Sequence, residues 1–303
     1  MRVLILHNPT AGNHELDRED LLTLAREAGH EPVYCSSSGG EWTHLLETER
    51  FDLCVAAGGD GTVSKLGRAL AGRPIPLGVL PLGTANNLAT ALGVTKAPVR
   101  KLIAQWATAE RRGFDVGVAR GPWGTRRFLE SLGAGLIAEG IAKIDQGHGD
   151  GALVEQEQDP GAQMDAARHV FDRLLAAGTP SPVQASVDGR DVTGKYLLLE
   201  IMNCPSVGPG LRLAPEASPH DGLLDLVAVG DDQREALRSQ IVGSAPPHAR
   251  AIGVQQGRHV ALEIIQSVLH LDDWIWHAPD GAARTRIEIT VEAGALTVLA
   301  PPG

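Results

Sequence analysis

The run GGDGT at residues 58–62 brings together the residue types that hold phosphate groups and cations. The apolar stretch 51–57 before it predicts a buried strand, and Leu66 and Leu70 after it lie at helical spacing. The glycines therefore lie at a strand-to-helix turn, where unpaired backbone N–H groups and the helix dipole attract an anion. Asp60 would repel a bare phosphate, so we expect either a cation such as Mg²⁺ beside the phosphate or a proton-transfer role for this carboxylate.

Two further loops rich in Gly, Thr and Asn follow predicted strands. NPTAG (8–12) follows the strand 2–6, and PLGTANNLA (81–89) follows the strand 75–80. In open α/β sheets, ligands bind outside the carboxyl ends of the strands, so these loops are predicted to share one site with GGDGT. Three serines at 36–38 end another predicted strand. They either supply a hydroxyl group to a nucleotide or cap a helix, and the sequence leaves both interpretations open.

Composition restricts the classes of protein to which this chain can belong. Its 303 residues predict two domains. A net charge of −10 argues against nucleic-acid binding and against a polybasic attachment to anionic lipid. No apolar run approaches the roughly 18 residues of a membrane span, and MRVLILHNP lacks the layout of a signal peptide. Three widely spaced cysteines without a CxxC pair indicate reduced thiols, so a cytoplasmic protein is expected, with peripheral contact at the inner membrane face left open.

The second half of the chain has a different pattern. From residue 112 onward the apolar segments are short, rich in Val and Gly and bounded by turns, which predicts a β-sandwich. Residues 164–177 form the one segment there with convincing helical spacing. The stretch 147–161 is polar and acidic, and we interpret its glutamates as a solvated surface rather than as metal ligands. The role of this insert stays open.

Three motifs together, NPTAG, GGDGTVSK and PLGTANNLA, resemble those of the diacylglycerol kinase catalytic family. The third has the form of the bacterial soluble lipid kinase branch, which is related to sphingosine and ceramide kinases and more distantly to NAD kinases. The later stretch 203–227 fits the same family. The resemblance implies an α/β plus all-β protein: a three-layer α/β nucleotide-binding domain (1–112, completed by 290–303) and a β-sandwich-like acceptor domain (113–289). ATP and Mg²⁺ are implied in the cleft between them.

The resemblance also implies two groups of site residues. Asp60 organises the phosphates and the catalytic Mg²⁺. A structural Mg²⁺ is held by the Asp221 carboxylate, the backbone carbonyl of Leu223 and a group of Ser218, with a plain Asp-Gly turn between strands as the open alternative. The residues implied to shape the nucleotide site are Asn8, Ser36, Gly58, Gly59, Asp60, Gly61, Thr62, Val63, Ser64, Gly83, Thr84 and Asn87.

The chain departs from the family pattern at three places. Ser64 and Lys65 stand where the family has Asn-Glu, and Glu130 stands where it has the Asn of a Phe-x-Asn motif. The late Asp-Gly-Glu of the family, whose Glu resembles a general base, aligns with residues 280–282 (DGA) or 272–274 (DDW). Neither alternative has the Glu.

A nearby carboxylate is expected to replace this base. Asp272 and Asp280 are the catalytic candidates, with Asp273 as a third. Phosphoryl transfer rests largely on positioning and electrostatics, so loss of the base need not abolish it. General-base assistance is nevertheless worth about 10²–10⁴-fold, so its loss would be felt.

The sequence therefore predicts a kinase that uses ATP and Mg²⁺ to phosphorylate the hydroxyl group of a diacylglycerol-like lipid. Two alternatives stay open: a kinase of a non-lipid alcohol on the same fold, and a weakened nucleotide- or lipid-binding member. No nucleic-acid partner is expected. Peripheral membrane contact through a local apolar edge and a homodimer both remain open.

Overall fold

The computed structural model describes residues 1–12, 16–145, 154, 159–243, 252–265, 268–279 and 284–301. The chain divides into two compact units. The first unit consists of Met1–Phe114 with Ala293–Gly303, and the second unit consists of Asp115–Glu292. The predicted Asp280 and most of the acidic insert 147–161 lie outside the described residues.

A parallel sheet forms the centre of the first unit. Its strands are β1 (Arg2–His7), β2 (Glu31–Ser36), β3 (Leu53–Gly58) and β4 (Leu77–Pro81). Their order is β2–β1–β3–β4, and all neighbours run parallel. The end of β17 (Thr285–Ala300) lies parallel to β4 through the pair Val298 and Leu77. Continuous burial along β3 is typical of a parallel strand that is covered on both faces.

Helices connect these strands and pack against the sheet. They are α1 (Arg18–Glu27), α2 (Glu41–Thr48), α3 (Asp60–Leu70), α4 (Asn87–Ala91) and α5 (Val99–Gln105). Helix α1 begins with a capping box, in which Asp17 accepts from the Asp20 N–H and Asp20 accepts from the Asp17 N–H. The sequence-predicted alternation of strands and helices in this part of the chain is therefore present.

The second unit contains two antiparallel sheets. One sheet has the order β10–β8–β14–β17, and β9 pairs with β8. Strand β5 pairs with β17 and forms a hairpin with β6. These strands are β5 (Glu110–Gly121), β6 (Gly124–Phe128), β8 (Ser181–Val187), β9 (Arg190–Asp191), β10 (Gly194–Tyr196) and β14 (His259–Ile264). Buried residues alternate along β14 with partly or fully exposed ones, as expected where one sheet face meets the core.

The other sheet has the order β13–β12–β11–β7–β15–β16. Its strands are β7 (Ser131–Gly135), β11 (Leu198–Met202), β12 (Leu224–Val229), β13 (Val254–Gly257), β15 (Val268–Leu271) and β16 (Trp274–His277). Side chains from both sheets, such as Val260 from one and Leu199 from the other, meet in one buried cluster. This arrangement is the predicted sandwich.

Within the described residues, the second unit has three α-helices of eight or more residues where the sequence predicted one. Helix α7 (Pro160–Ala177) contains the predicted segment, and α6 (Leu136–Asp145) and α8 (Arg234–Ile241) are additional. The prediction missed α6 because this helix follows β7 directly, with only Gly135 (φ +78°) at the junction. The helices cover the second sheet, where Ile137 and Phe171 pack with strand residues such as Met202.

Candidate functional site

Four loops of the first unit lie side by side at the carboxyl edge of the parallel sheet. The register pairs His7 of β1 with Ser36 of β2 and with Ala57 of β3, and it pairs Gly58 of β3 with Pro81 of β4. The loops at 8–12, 36–38, 58–62 and 81–87 therefore begin at the same level of neighbouring strands. We call this group of loops the loop edge.

The turn from β3 to α3 is the centre of the loop edge. Gly59 is the N-cap residue of α3, and no side chain in the described part of the chain caps that helix. Asp60 is the first helical residue, and its Oδ1 accepts a hydrogen bond of 2.8 Å from the backbone N–H of Leu88 in α4. Asp60 thus links the GGDGT turn to the loop after β4, while the first amides of α3 carry the positive end of the helix dipole.

Glycines of the loop edge are required by one close contact between two turns and by another within the GGDGT turn. A Cβ on Gly83 would lie 2.3 Å from the Cα of Gly59, and a Cβ on Gly58 would lie 2.5 Å from Thr62 Oγ1. These distances are far shorter than van der Waals contact, so the two turns approach each other only because side chains are absent.

The loop after β4 is held by Asn86, an asparagine of the predicted loop 81–89 that is not among the residues expected to shape the nucleotide site. Asn86 has a left-handed backbone (φ +52°), which asparagine tolerates better than most residues. Its Oδ1 accepts from the Gly83 N–H at 3.0 Å, and its Nδ2 donates to the Gly83 carbonyl at 2.6 Å. The predicted Thr84 is partly exposed in the loop, and the predicted Asn87 is buried at the start of α4.

The loops after β1 and β2 are also ordered by their own side chains. Asn8 Oδ1 accepts from the N–H and the hydroxyl group of Thr10, at 3.2 and 2.9 Å. Ser36 Oγ lies 2.9 Å from Ser38 Oγ. Lys65 of α3 donates from Nζ to the Ser37 carbonyl at 2.9 Å, so this departure from the family pattern places an ammonium group at the loop edge.

Among the remaining predicted residues of α3, Gly61 is partly exposed, whereas Thr62, Val63 and Ser64 are buried. Val63 is 2% exposed and packs in the core, so only its backbone is available to a ligand. Ser64 is 1% exposed, and its hydroxyl group finds no hydrogen-bond partner among the residues described. Behind the site, burial lowers the pKa of His7 against an opposing effect of Asp17, and His7 Nδ1 lies 3.1 Å from the hydroxyl group of Tyr34.

In the second unit, the predicted metal-binding residues lie on one turn before β12. Asp221 is exposed, and its Oδ1 accepts from the Leu223 N–H at 2.9 Å. Gly222 (φ +74°) donates its N–H to Asp115 Oδ2 at 2.7 Å, and the Asp115 N–H donates to the Pro219 carbonyl at 2.7 Å. Asp115 therefore fixes the turn, a role that the sequence interpretation missed.

The donor chemistry of this turn fits Mg²⁺. A carboxylate of Asp221, a hydroxyl group of Ser218 and the carbonyl of Leu223 are hard oxygen ligands, and the partial exposure of the turn leaves room for water ligands. No cluster of three or more His, Cys, Asp or Glu suited to a metal occurs within the described ranges. Next to the turn, burial raises the pKa of Asp225 to about 6, against a hydrogen bond from Gln256 and with a further contribution from Asp221.

Asp272, a candidate base, forms a buried clamp. It lies with Asp273 in the two-residue turn between β15 and β16, with φ +50°. Its carboxylate accepts from the backbone N–H groups of Leu129, Glu130 and Ser131, at distances of 2.8 to 3.3 Å. Because protein donors occupy these oxygens, Asp272 holds the 129–131 segment, while Asp273 beside it is exposed.

Further buried polar side chains extend from this clamp. Asn203 Nδ2 donates to the carbonyls of Leu129 and Asp115, at 2.8 and 2.9 Å, and the Asn203 N–H donates to the Glu130 carbonyl at 2.9 Å. Two residues before Asp272, His270 Nε2 lies within hydrogen-bond distance of the Glu200 carboxylate, at 3.1 Å. We call Asp115, Asn203, Glu200, His270 and Asp272, with the 129–131 segment, the buried polar network.

A sequence signal for part of this network exists. Glu200 and His270 are single ionisable residues within the otherwise apolar strand sequences LLEIM and VLHL. A charged residue in such a strand is rarely buried without a partner. The partner itself could not be read from the sequence, because 70 residues separate the two.

Comparison with known proteins agrees with this architecture. Residues 2–119 match the family described as "Diacylglycerol kinase catalytic domain", and residues 158–300 match the "YegS C-terminal NAD kinase beta sandwich-like domain". A protein of Pseudomonas aeruginosa (strain UCBPP-PA14) named "Probable lipid kinase YegS-like" is 32% identical over 232 residues, which cover 74% of this chain and 70% of that protein. The chain belongs to the diacylglycerol kinase family. The predicted class, an α/β domain followed by a β-sandwich-like domain, is confirmed.

One further sequence relative and two solved structures extend the comparison. The "Diacylglycerol kinase" of Bacillus subtilis (strain 168) is 28% identical over 239 residues, 75% of this chain and 73% of that protein. A diacylglycerol kinase structure from Bacillus anthracis str. Sterne has a TM-score of 0.69 at 20% identity, covering 99% of this chain and 97% of the other. Yeast NADH kinase has a TM-score of 0.55 at 11% identity, covering 100% and 84%. The two structures show the shared fold alone.

Membership of this family indicates a general activity. The matches support a lipid kinase, that is, a phosphotransferase that uses ATP. Among the described helices, none combines the length and the apolar character needed to cross a membrane.

Proposed function

We propose that this protein transfers the γ-phosphate of ATP, with Mg²⁺, to the hydroxyl group of a diacylglycerol-like lipid. One observation carries the proposal: the loop edge places Asp60 at the start of α3, a helix that no side chain within the described ranges caps, between two glycine turns in close contact. An uncapped helix N-terminus beside glycines suits phosphate, and an adjacent carboxylate suits the accompanying cation. Family membership supplies the lipid as the acceptor class.

Under this proposal, the first unit binds the nucleotide and the second unit binds the acceptor. The amides at the start of α3 and the glycine turns contact the phosphates, and Asp60 orients the metal-bound phosphates from its fixed position beside Leu88. The other residues of the proposed nucleotide site are Asn8, Ser36, Gly58, Gly59, Gly61, Thr62, Val63, Ser64, Gly83, Thr84 and Asn87. Bound Mg²⁺ would neutralise the charge that the phosphates carry during the transfer.

The residues of the second unit have two proposed tasks. Ser218, Asp221 and Leu223 would hold a structural Mg²⁺ on the turn that Asp115 fixes. The acceptor hydroxyl group must lose its proton as its oxygen bonds to phosphorus, and a carboxylate is the expected proton acceptor. Asp280 stays the sequence-based candidate for that task. The three amides bound to Asp272 make this residue a better positioning group than a base.

Transfer of labelled γ-phosphate to a lipid extract supplemented with diacylglycerol tests the proposal. The blank is Asp60→Asn, which keeps an oxygen to accept from the Leu88 N–H but removes the charge. We expect a labelled product in the organic phase with the unaltered protein and none with the blank. A labelled water-soluble product would support a non-lipid alcohol instead. ATP binding without any product would contradict the kinase proposal and support a binding protein.

A further inference from the structure

Two ionisable side chains meet inside the second unit at a position where the sheet has no side chain of its own. Glu200 of β11 and His270 of β15 lie opposite Gly133 of β7, one from each side. His270 Nε2 lies 3.1 Å from both carboxylate oxygens of Glu200. Both residues are fully buried. We call them the Glu200–His270 pair.

Gly133 makes the meeting possible. A Cβ at this position would lie 1.8 Å from Glu200 Oε1, a distance far shorter than van der Waals contact. The carboxylate therefore occupies the volume that a side chain of the central strand would fill, and in this way it reaches the imidazole two strands away. The contact between the Glu200 carboxylate and the His270 imidazole therefore depends on the absence of a side chain at Gly133.

The second imidazole nitrogen connects the pair to the Asp272 turn. His270 Nδ1 lies 3.3 Å from the Asp272 carbonyl oxygen, and the Asp272 carboxylate binds three amides of the 129–131 segment. An imidazole that is hydrogen-bonded at both ring nitrogens is fixed in orientation, and so is the peptide group that it contacts. The 129–131 segment, which the Asp272 carboxylate binds, contains Glu130, a residue that is 7% exposed.

The charge state of the pair agrees with its geometry. Burial alone would lower the pKa of His270, but the Glu200 charge and hydrogen bond, with smaller contributions from Asp272, outweigh burial and raise it. Helix α6 also packs against β15 and carries Glu139, Lys143 and Asp145. A charged imidazole donates from both nitrogens, so it holds both the Glu200 carboxylate and the Asp272 carbonyl.

We propose that the Glu200–His270 pair is a positioning element for the proposed phosphoryl transfer, which fixes the Asp272 turn and through it the 129–131 segment. The inference rests on the proposed function for its kinetic consequence. An apolar pair of similar volume would stabilise a core at least as well as a buried ion pair. What the ion pair adds is a fixed direction for two hydrogen bonds, and these bonds lead to the Asp272 turn.

The test compares this pair with a second pair of the same chemistry. Glu200→Gln keeps the volume and removes the charge that holds His270 protonated. We expect kcat for lipid phosphorylation to fall on the order of 10-fold, since the 129–131 segment carries the family's Phe-x-Asn position at Glu130 and small displacements in an active site have large kinetic effects. KM for ATP should stay unchanged, and the pH profile of kcat should shift. The control is His259→Gln, because His259 Nε2 and Glu288 Oε2 form an exposed pair at 2.6 Å in the same unit.

A second variant separates positioning from stability. The double substitution Glu200→Met with His270→Leu replaces the ions with apolar groups, so we expect unfolding stability near that of the unaltered protein and kcat still low. Unaltered kcat in this folded double variant, or a lowered melting temperature with unaltered kcat and pH profile in Glu200→Gln, would overturn the inference.

Amide hydrogen exchange gives a readout that does not depend on activity. Protection of the Leu129, Glu130 and Ser131 amides should fall in Glu200→Gln and stay unchanged in His259→Gln. Unchanged protection in both variants would overturn the inference even if the protein phosphorylates lipids. Absence of lipid phosphorylation by the unaltered protein, with the predicted loss of protection, would instead contradict the proposed function.

Discussion

The loop edge and the buried polar network use polar groups in opposite ways. The loop edge consists of backbone, glycines and short side chains, and the contact from Asp60 to Leu88 spans only 28 residues. The buried polar network joins residues that lie up to 143 positions apart, and its Asp272 carboxylate is occupied by the protein's own amides. The loop edge is the proposed nucleotide site, whereas the donors that bind the Asp272 carboxylate all come from the protein itself. Substitution of Asp60 should therefore affect activity first, and substitution of Asp272 should affect stability first.

The largest effect is expected at Asp60. Asp60→Asn removes a charge beside the proposed phosphate position and retains an oxygen that can accept from the Leu88 N–H. Electrostatic groups in phosphoryl transfer are worth about 10³–10⁵-fold, so kcat should fall by at least about 10³-fold. The measurement is steady-state transfer of labelled phosphate, with urea unfolding in parallel. A large loss of stability with modest loss of activity would make the loop edge a structural region and would remove the contrast.

The next effect is expected at Asp272, where stability should respond. Asp272→Ala leaves three amides of the 129–131 segment without their acceptor. Since each unsatisfied buried group costs about 1–3 kcal/mol, we expect the free energy of unfolding to fall by roughly 3 kcal/mol. Urea denaturation measures it, and the exposed neighbour Asp273→Ala is the control. Nucleotide affinity should not change in a folded variant. An unaffected unfolding midpoint would show that the clamp contributes little.

A smaller loss of stability is expected from the contact between the two glycine turns. Gly83→Ala puts a Cβ at 2.3 Å from the Gly59 Cα, so the turns must separate, at a cost of about 1–3 kcal/mol. Nucleotide affinity should weaken with it, because the separation moves the backbone amides of the proposed phosphate site. Gly40→Ala is the matched control, since a Cβ there meets no atom within 4 Å. Equal behaviour of the two variants in thermal unfolding and ATP titration would refute the close packing.

The smallest effect is expected in the pH dependence of stability. The pKa of His270 is raised above its ordinary value of 6.5 when folded, because the attraction and hydrogen bond of Glu200 outweigh burial. The stabilisation from the pair is therefore complete below the unfolded value and is lost as the pH rises through the folded value. Urea midpoints in mildly acidic and mildly alkaline buffer should show a decrease toward alkaline pH. The decrease should be smaller in Glu200→Gln, and an equal slope in both proteins would assign it to other groups.

Much of the fold could be predicted from the sequence because the signals are local. The apolar strand before GGDGT, the helical spacing after it and the turns of the second half depend on neighbours within a few residues. Helix α6 was missed because Gly135 joins it to β7 without an intervening loop. The proposed nucleotide residues lie at one sheet edge, as the order of strands and loops led us to expect.

The sequence by itself determined the family, the two-part architecture and the residue types at the loop edge. Only the tertiary structure decided what the buried carboxylates do: Asp272 holds three amides, and Glu200 reaches His270 across Gly133. The physical reason is that a carboxylate has the same sequence signature as a base, a metal ligand or a clamp. Its role depends on which donors surround it, and chain folding brings those donors from 70 or more residues away.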